Sequence, residues 1–392
     1  MSGAPYEALL ALVPQGGAPV DWAGLAAAGL GEIFAAMQDT MQNPEYHAEG
    51  DVLTHTKMVT EALVNDPRYA AESDEGRTVL FLAAVLHDAG KPKCTRLRDG
   101  KLTSPYHTST GARVARELLF RVLGLSGTPE AVRLRESVLA YVRYHSFPPF
   151  AIHATDVRRR LLRVAAAGEL CGAFTVERLC LLEDADIRGR ISPNTEEAIE
   201  RVEYCRMLAE EEGVLRSPFA FSDAFSERAY FRGQTDAPTV PLYRDTFGTV
   251  IMMSGLPGTG KDTYIAKHYP DLPVVSLDAI RARLAVDPTD NQGPVVAAAI
   301  EEAREHLRKK QPFVWNATSL TAEFRGQQIS LFEQYGASVR TVFLETEYRE
   351  GLRRNAGREG VAVVPVPVID KMLRRMELPE RHECEEVVWL TV

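Results

Sequence analysis

The chain has 392 residues, enough for two domains of ordinary size, each with its own core. With 45% hydrophobic and 25% charged residues it reads as globular, and a net charge of −9 excludes a global pull on nucleic acid, so any grip on a polynucleotide must be local. The longest apolar run, Val79–Leu86, is too short to span a bilayer, which argues against a membrane partner. The N-terminus shows no basic flank and apolar core of a signal peptide. Five scattered cysteines (94, 171, 180, 205, 384) without Cys-x-x-Cys spacing point to reduced thiols and a cytoplasmic setting.

Amphipathic helical periodicity dominates the first part, over 22–38, 50–64, 77–89, 107–123, 129–145, 155–166, 175–188 and 194–213, with Gly/Pro/Asp breaks between. Beyond Gly233-Gln-Thr-Asp-Ala-Pro-Thr-Val-Pro241, a polar, turn-rich stretch, the pattern changes to strands alternating with helices. Strands are expected at 249–254, 273–277, 312–316, 338–344 and 386–391, the signature of a parallel α/β sheet. The expectation is multidomain: an all-α domain over 46–232, a linker over 233–247 and an α/β P-loop domain with a parallel sheet over 248–392.

Gly255-Leu-Pro-Gly-Thr-Gly-Lys-Asp-Thr263 follows the first of these strands and opens a helix. Gly255, Gly258, Thr259 and Gly260 let backbone N–H groups wrap a phosphate, Lys261 reaches the β/γ-phosphates, and the helix points its positive end at them. ATP is the expected ligand, with Asp262 and Thr263 completing the loop and Mg2+ accompanying it. Asp262 stands where a serine or threonine is usual, and Val314-Trp-Asn316 lacks the strand-end aspartate, so magnesium would be held mainly through ATP and water. Thr263 would then bond an α-phosphate oxygen. Asp278, at the carboxyl end of the second strand, is placed to take a proton from an acceptor hydroxyl, or it simply N-caps a helix. Arg281, one turn on, would hold an acceptor phosphate. Arg354 and Arg358, four apart, would clamp the transferring phosphoryl group if one helix carries both.

These pieces resemble the polynucleotide 5′-hydroxyl kinase family, over most of 249–380. The likeness rests on the P-loop, Asp278-x-x-Arg281, Asn316-Ala-Thr-Ser-Leu320 with Arg325, Arg354-Asn-x-x-Arg358, Val364-Pro-Val-Pro-Val-Ile369 and Met376-Glu-x-Pro379. It implies Asp278 as general base, Arg281 on the acceptor phosphate, and Arg358 as a lid arginine supported by Arg354. A small-molecule nucleotide kinase is the runner-up, because such enzymes share the loop and the Asp-x-x-Arg pair.

In the helical part, His87-Asp88-Ala-Gly-Lys-Pro92 follows the apolar run, with Asp51-Val-Leu-Thr-His55 upstream and Glu183-Asp-Ala-Asp186-Ile-Arg-Gly-Arg190 downstream. Imidazoles and carboxylates suit a hydrolytic divalent metal that keeps positions open for water. The pattern resembles the HD phosphohydrolase superfamily over roughly 50–190. By that resemblance His55, His87, Asp88 and Asp186 would be ligands for divalent transition metal, with Asp184 a rival for the last place. His107 and His145 would bind a second metal or grip substrate phosphate, and Lys91 would contact phosphate. The other histidines (47, 153, 268, 306, 382) match nothing and are read as solvated.

Such a fusion is similar to the bacterial HD-domain/polynucleotide-kinase end-healing family. It implies phosphorylation of 5′-hydroxyl ends of RNA or DNA, hydrolysis of 3′-phosphate or 2′,3′-cyclic phosphate ends, and a separate ligase acting afterwards. Residues 1–45 match neither block and are expected to form a helical appendage. An HD nucleotidase joined to a mononucleotide kinase is the competing enzyme reading, and a nucleotide sensor without turnover the competing non-enzyme one.

Overall fold

The computed structural model describes residues 4–287, 289–358 and 362–392. The chain divides into two compact units, one of residues 1–125 and 130–219, the other of 126–129 and 220–392. Among the described residues no helix is long and apolar enough to cross a membrane.

The first unit is helical. Its principal helices are Val52–Val64, Asp74–Leu86, His107–Glu117, Pro129–Tyr144, Val157–Ala166, Val176–Arg188 and Thr195–Glu211. Several start where a short polar side chain can accept from an otherwise unpaired N–H: Asp51 from Thr54, Ser73 from Gly76, Thr175 from Arg178. Val79–Leu86 is fully buried and forms the centre of one core, packed with Val59, Leu63, Val138, Leu179 and Leu182. Leu25, Leu30, Phe34 and Met37 belong to that same core, so the first residues, expected as an appendage, are part of the unit. The 22–38 helix breaks at Gly29, whose φ of 120° only glycine adopts readily. A small hairpin, β1 (Arg96–Arg98) and β2 (Lys101–Thr103), interrupts the helices. Asp99-Gly100 at its turn, both with positive φ, is the two-residue signal the sequence reading passed over.

The second unit holds a parallel five-stranded sheet of β3 (Thr249–Ser254), β4 (Val274–Ser276), β5 (Val314–Asn316), β6 (Ser338–Glu345) and β7 (Glu386–Thr391), ordered β4-β5-β3-β6-β7. Val250 and Met252 face one core while Ile251 and Met253 face another, which explains an unbroken apolar strand in place of alternation. Ser276 pairs with Asn316, so β4 and β5 end level beside the loop that leaves β3. That carboxyl-end crevice is where open α/β sheets bind ligands.

The main segment of this unit begins at Ala220, ahead of the 233–247 stretch read as a linker. The cause is the helix Ala224–Phe231, whose buried Arg228 pairs with Glu333 (2.9 Å) and Glu385 (2.6 Å), while Arg244 reaches Glu385 at 2.7 Å.

Candidate active sites

Helices of the first unit bring His55, His87, Asp88, His107, His145 and Asp186 together. His55 lies in the first turn of Val52–Val64, and His87 and Asp88 follow the last turn of Asp74–Leu86. His107 opens its helix, His145 follows Tyr144, and Asp186 sits near the end of Val176–Arg188. His55 Nε2 is 3.0 Å from Asp186 Oδ1 and 3.6 Å from Asp88 Oδ2; His87 Nε2 is 3.3 Å from Asp88 Oδ2. On the other side of Asp88, Oδ1 faces His107 Nε2 at 3.6 Å and His145 Nε2 at 4.0 Å.

The tautomers follow from the backbone. Nδ1 of His87, His107 and His145 lies 2.8–2.9 Å from the carbonyl three residues back, at Ala84, Ser104 and Val142. A carbonyl only accepts, so each Nδ1 donates and each Nε2 turns a lone pair to the cluster. Burial, and then repulsion from His87 and His107, pushes His145 down to about 3; burial likewise lowers His107. Asp88 lies well below the usual carboxylate range: burial opposes this, but the positive charge of Lys91 outweighs it. Among the described residues neither oxygen of Asp88, nor Asp186 Oδ1, accepts a well-formed hydrogen bond. Buried carboxylate oxygens of Asp88 and Asp186 that face imidazole lone pairs are a donor set that fits a divalent cation.

Asp184 is turned away from this cluster. Its Oδ2 takes Arg68 at 2.8 Å and Arg206 at 3.4 Å, so of the two rivals only Asp186 is brought in. Two residues that sequence reasoning missed stand behind His55. Glu49 Oε1 is 3.0 Å from His55 Nδ1 and 2.9 Å from His47 Nδ1, and its other oxygen accepts from Ile191 N at 2.9 Å. His47, read as solvated, is therefore part of the wall; only the closeness of His47-x-Glu49 to Asp51 hinted at it. His306 and His382 are likewise packed against aromatic rings, those of Phe313 and Phe231. The cluster floors a cavity of about 670 Å³ that is lined also by Lys91, Tyr46, Phe150, Arg190 and Arg201. Lys91 Nζ is 2.6 Å from both Asp88 Oδ2 and Gln42 Oε1, and Arg190 is 3.1 Å from Asp186 Oδ2. Both place positive charge beside the metal-type donors, an arrangement that suits an anion.

In the second unit, a cavity of about 360 Å³ opens between the P-loop and the ends of β4 and β5. Gly258 has φ 83°, and a Cβ there would lie 2.3 Å from Gly351 O, so the loop needs glycine for both conformation and space. Gly255 and Thr259 shape the loop instead of facing the cavity: Gly255 N donates to Thr318 O (2.9 Å) and Thr259 Oγ1 to Leu256 O (2.9 Å). Gly258, Gly260, Lys261, Asp262 and Thr263 line the cavity. Lys261 Nζ donates back to Gly255 O at 3.0 Å and Leu256 O at 2.9 Å. Burial pulls its ammonium down to about 8, against the opposing influence of Asp278 and Asp262.

Ser276, by accepting from Ala279 N, is the N-cap of the helix Leu277–Leu284, so Asp278 is released from that role. Its half-exposed carboxylate is 2.6 Å from Arg281 Nη1 and 3.7 Å from Arg358 Nη1. The helix Tyr348–Ala356 ends before Arg358, which contradicts one continuous face for Arg354 and Arg358. Gly357 closes the helix, yet Arg358 still reaches the cavity and Arg354 lines it too, held at 2.7 Å by Glu350. Asn316 Nδ2 donates to Asp262 Oδ1 at 2.7 Å, a contact the sequence reading missed. Other motif residues brace the walls: buried Arg325 holds Glu383, Ser319 O and Glu377 O, and Asn355 exchanges two hydrogen bonds with Val364.

A family model described as an AAA domain matches residues 250–379. No curated protein matches the chain. The α/β unit is thus a P-loop domain with a kinase-type nucleotide-binding site, which implies ATP as its ligand.

Proposed function

We propose that the chain heals broken nucleic-acid ends, phosphorylating 5′-hydroxyl termini in its P-loop unit and hydrolysing 3′-phosphate or 2′,3′-cyclic phosphate termini in its helical unit. The observation that carries this reading is Asp278: it is free of capping duty, half exposed, and flanked by Arg281 and Arg358 at the mouth of a nucleotide cavity. There its carboxylate accepts the proton of an incoming hydroxyl, Arg281 holds the phosphate next to that hydroxyl, and Lys261 and Arg358 neutralise charge on the ATP phosphates. Positioning and charge stabilisation then supply most of the catalysis, as phosphoryl transfer requires little covalent chemistry from the protein.

In the helical unit, His55, His87, Asp88 and Asp186 hold the cation, and His107 and His145 extend the donor set beyond Asp88. A bound divalent metal supplies Lewis acidity toward a phosphoryl oxygen and makes water a better nucleophile. Lys91 and Arg190 orient the terminal phosphate, and Tyr46 and Phe150 offer exposed rings on which a terminal base can stack.

The decisive experiment gives the full chain labelled ATP and an oligonucleotide with 5′-hydroxyl and 3′-phosphate ends. Label should appear at the 5′ end and phosphate should leave the 3′ end in the presence of divalent metal. Asp278→Ala should lower label transfer by about 10²–10⁴-fold with ATP affinity retained. Transfer to free nucleosides in preference to the oligonucleotide would replace this reading with a mononucleotide kinase.

A further inference from the structure

P-loop nucleotide sites ordinarily hold magnesium through a hydroxyl after the loop lysine and a carboxylate at the end of a neighbouring strand. This chain has a carboxylate at the first place, Asp262, and a neutral amide at the second, Asn316. Taken singly, each change looks like a loss. The structure joins them: Asn316 Nδ2 donates to Asp262 Oδ1 at 2.7 Å. Asn316 ends β5, is 7% exposed and sits level with Ser276, so the donor is rigidly placed. Asp262, in the first turn after the loop, keeps a largely exposed side chain, and its Oδ2 turns to Arg358 Nη2 at 3.5 Å.

We propose that Asp262 and Asn316 have exchanged the two customary roles. The anionic ligand for the magnesium of Mg·ATP comes from the P-loop, and the strand-end amide positions that ligand. This rests on the reading of the unit as an ATP site. A carboxylate of this geometry fits magnesium, which takes one or two carboxylates together with phosphate oxygens and water.

The charge arrangement gives the proposal a signature. Asp262 is contacted by Arg358 and the neutral Asn316, and Lys261, Asp278, Arg281 and Arg354 line the same cavity. Without metal, the Asp262 carboxylate repels the ATP phosphates where a hydroxyl would bond them. With metal, the same charge attracts the complex. At separations of about 4–5 Å, either effect changes affinity on the order of tenfold or more.

The test measures ATP affinity by calorimetry for the full chain, once with magnesium and once with chelator. Asp262→Ser should bind ATP about tenfold more tightly than the parent chain in chelator and more weakly in magnesium. Asp262→Asn, which keeps the shape and removes the charge, should behave alike. The double variant Asp262→Ser with Asn316→Asp should regain the magnesium enhancement. The proposal is overturned if Asp262→Ser and Asp262→Asn keep the parental enhancement, or if the double variant gains nothing over Asp262→Ser. If the parent chain binds no ATP in either condition, the nucleotide-site reading itself fails.

Discussion

Asp184 and Asp186 share a helix two positions apart, and residues at that spacing point to different sides of it. Asp186 meets His55 while Asp184 meets Arg68 and Arg206, so their substitutions should separate. Asp186→Asn is expected to lower the metal retained after dialysis by an order of magnitude or more, and Asp184→Asn to leave it unchanged while lowering the melting temperature. Elemental analysis of both variants decides it; equal metal loss would remove Asp186 from its special place. Lys261 offers a second prediction of this kind. Its pKa of about 8 in the free chain arises mainly from burial. Phosphate oxygens stabilise the charged form, so binding raises that pKa and draws a proton from solvent at any pH between the free and bound values. ATP affinity should accordingly be level below pH 8 and decline above it. Calorimetry at pH 9 in two buffers of different ionisation enthalpy should register proton uptake, and its absence would contradict the role given to this lysine.

Among the elements, the turn that carries His87 and Asp88 packs closely against the helix opening at His107, and that packing holds the two sides of the donor cluster together. Gly90 makes that contact possible: a Cβ on it would lie 2.1 Å from His107 O and 2.5 Å from Gly111 N. Both obstacles are backbone, so neither can swing aside. Gly90→Ala should therefore push the His107 helix away, weakening the His107/His145 side of the cluster far more than the His55/Asp186 side. Metal titration should show a loss of stoichiometry or of affinity, with a stability decrease of about 1–3 kcal/mol in denaturant unfolding. A fully retained metal isotherm would show that the helix can shift without consequence. In the sheet unit the corresponding device is the level ending of β4 and β5, which sets Asp278, Asn316 and the P-loop around one crevice.

For the molecule as a whole, each unit contains its own cavity, its own charged residues and its own core. His87→Ala should abolish 3′-end processing and leave 5′-phosphorylation within about twofold of the parent rate. Parallel assays on one doubly labelled oligonucleotide measure both, and a joint collapse of the two activities would argue for a single coupled site. On the proposed reading, with a net charge of −9, an oligonucleotide would be gripped mainly by the basic groups lining each cavity, such as Lys91 and Arg190 in one and Arg281 and Arg358 in the other. Oligonucleotide affinity should thus depend only weakly on salt, since each phosphate contact to a single strand contributes a slope of about −0.7.

Local signals sufficed for much of this. Periodicity placed the longer helices of the first unit and all five parallel strands, and residue spacing singled out the P-loop with Asp278 and Arg281, because those patterns are set over a few turns of chain, whereas His55, His87 and Asp88 entered through a resemblance to the HD phosphohydrolase superfamily. The hairpin at Asp99-Gly100 was within reach of the same reasoning. What lay beyond it depended on which faces meet after folding. Asp184 and Asp186 on Val176–Arg188 are rivals for the cluster, and packing against Val52–Val64 selects Asp186. Glu49 and His47 act through His55, whose position they cannot announce in sequence. Asp262 and Asn316 stand 54 residues apart and look like two unrelated departures until β5 sets its last side chain against the first turn after the P-loop. Short-range chemistry writes motifs into the chain, whereas the partner of each motif is chosen by long-range packing, and only the tertiary structure carries that choice.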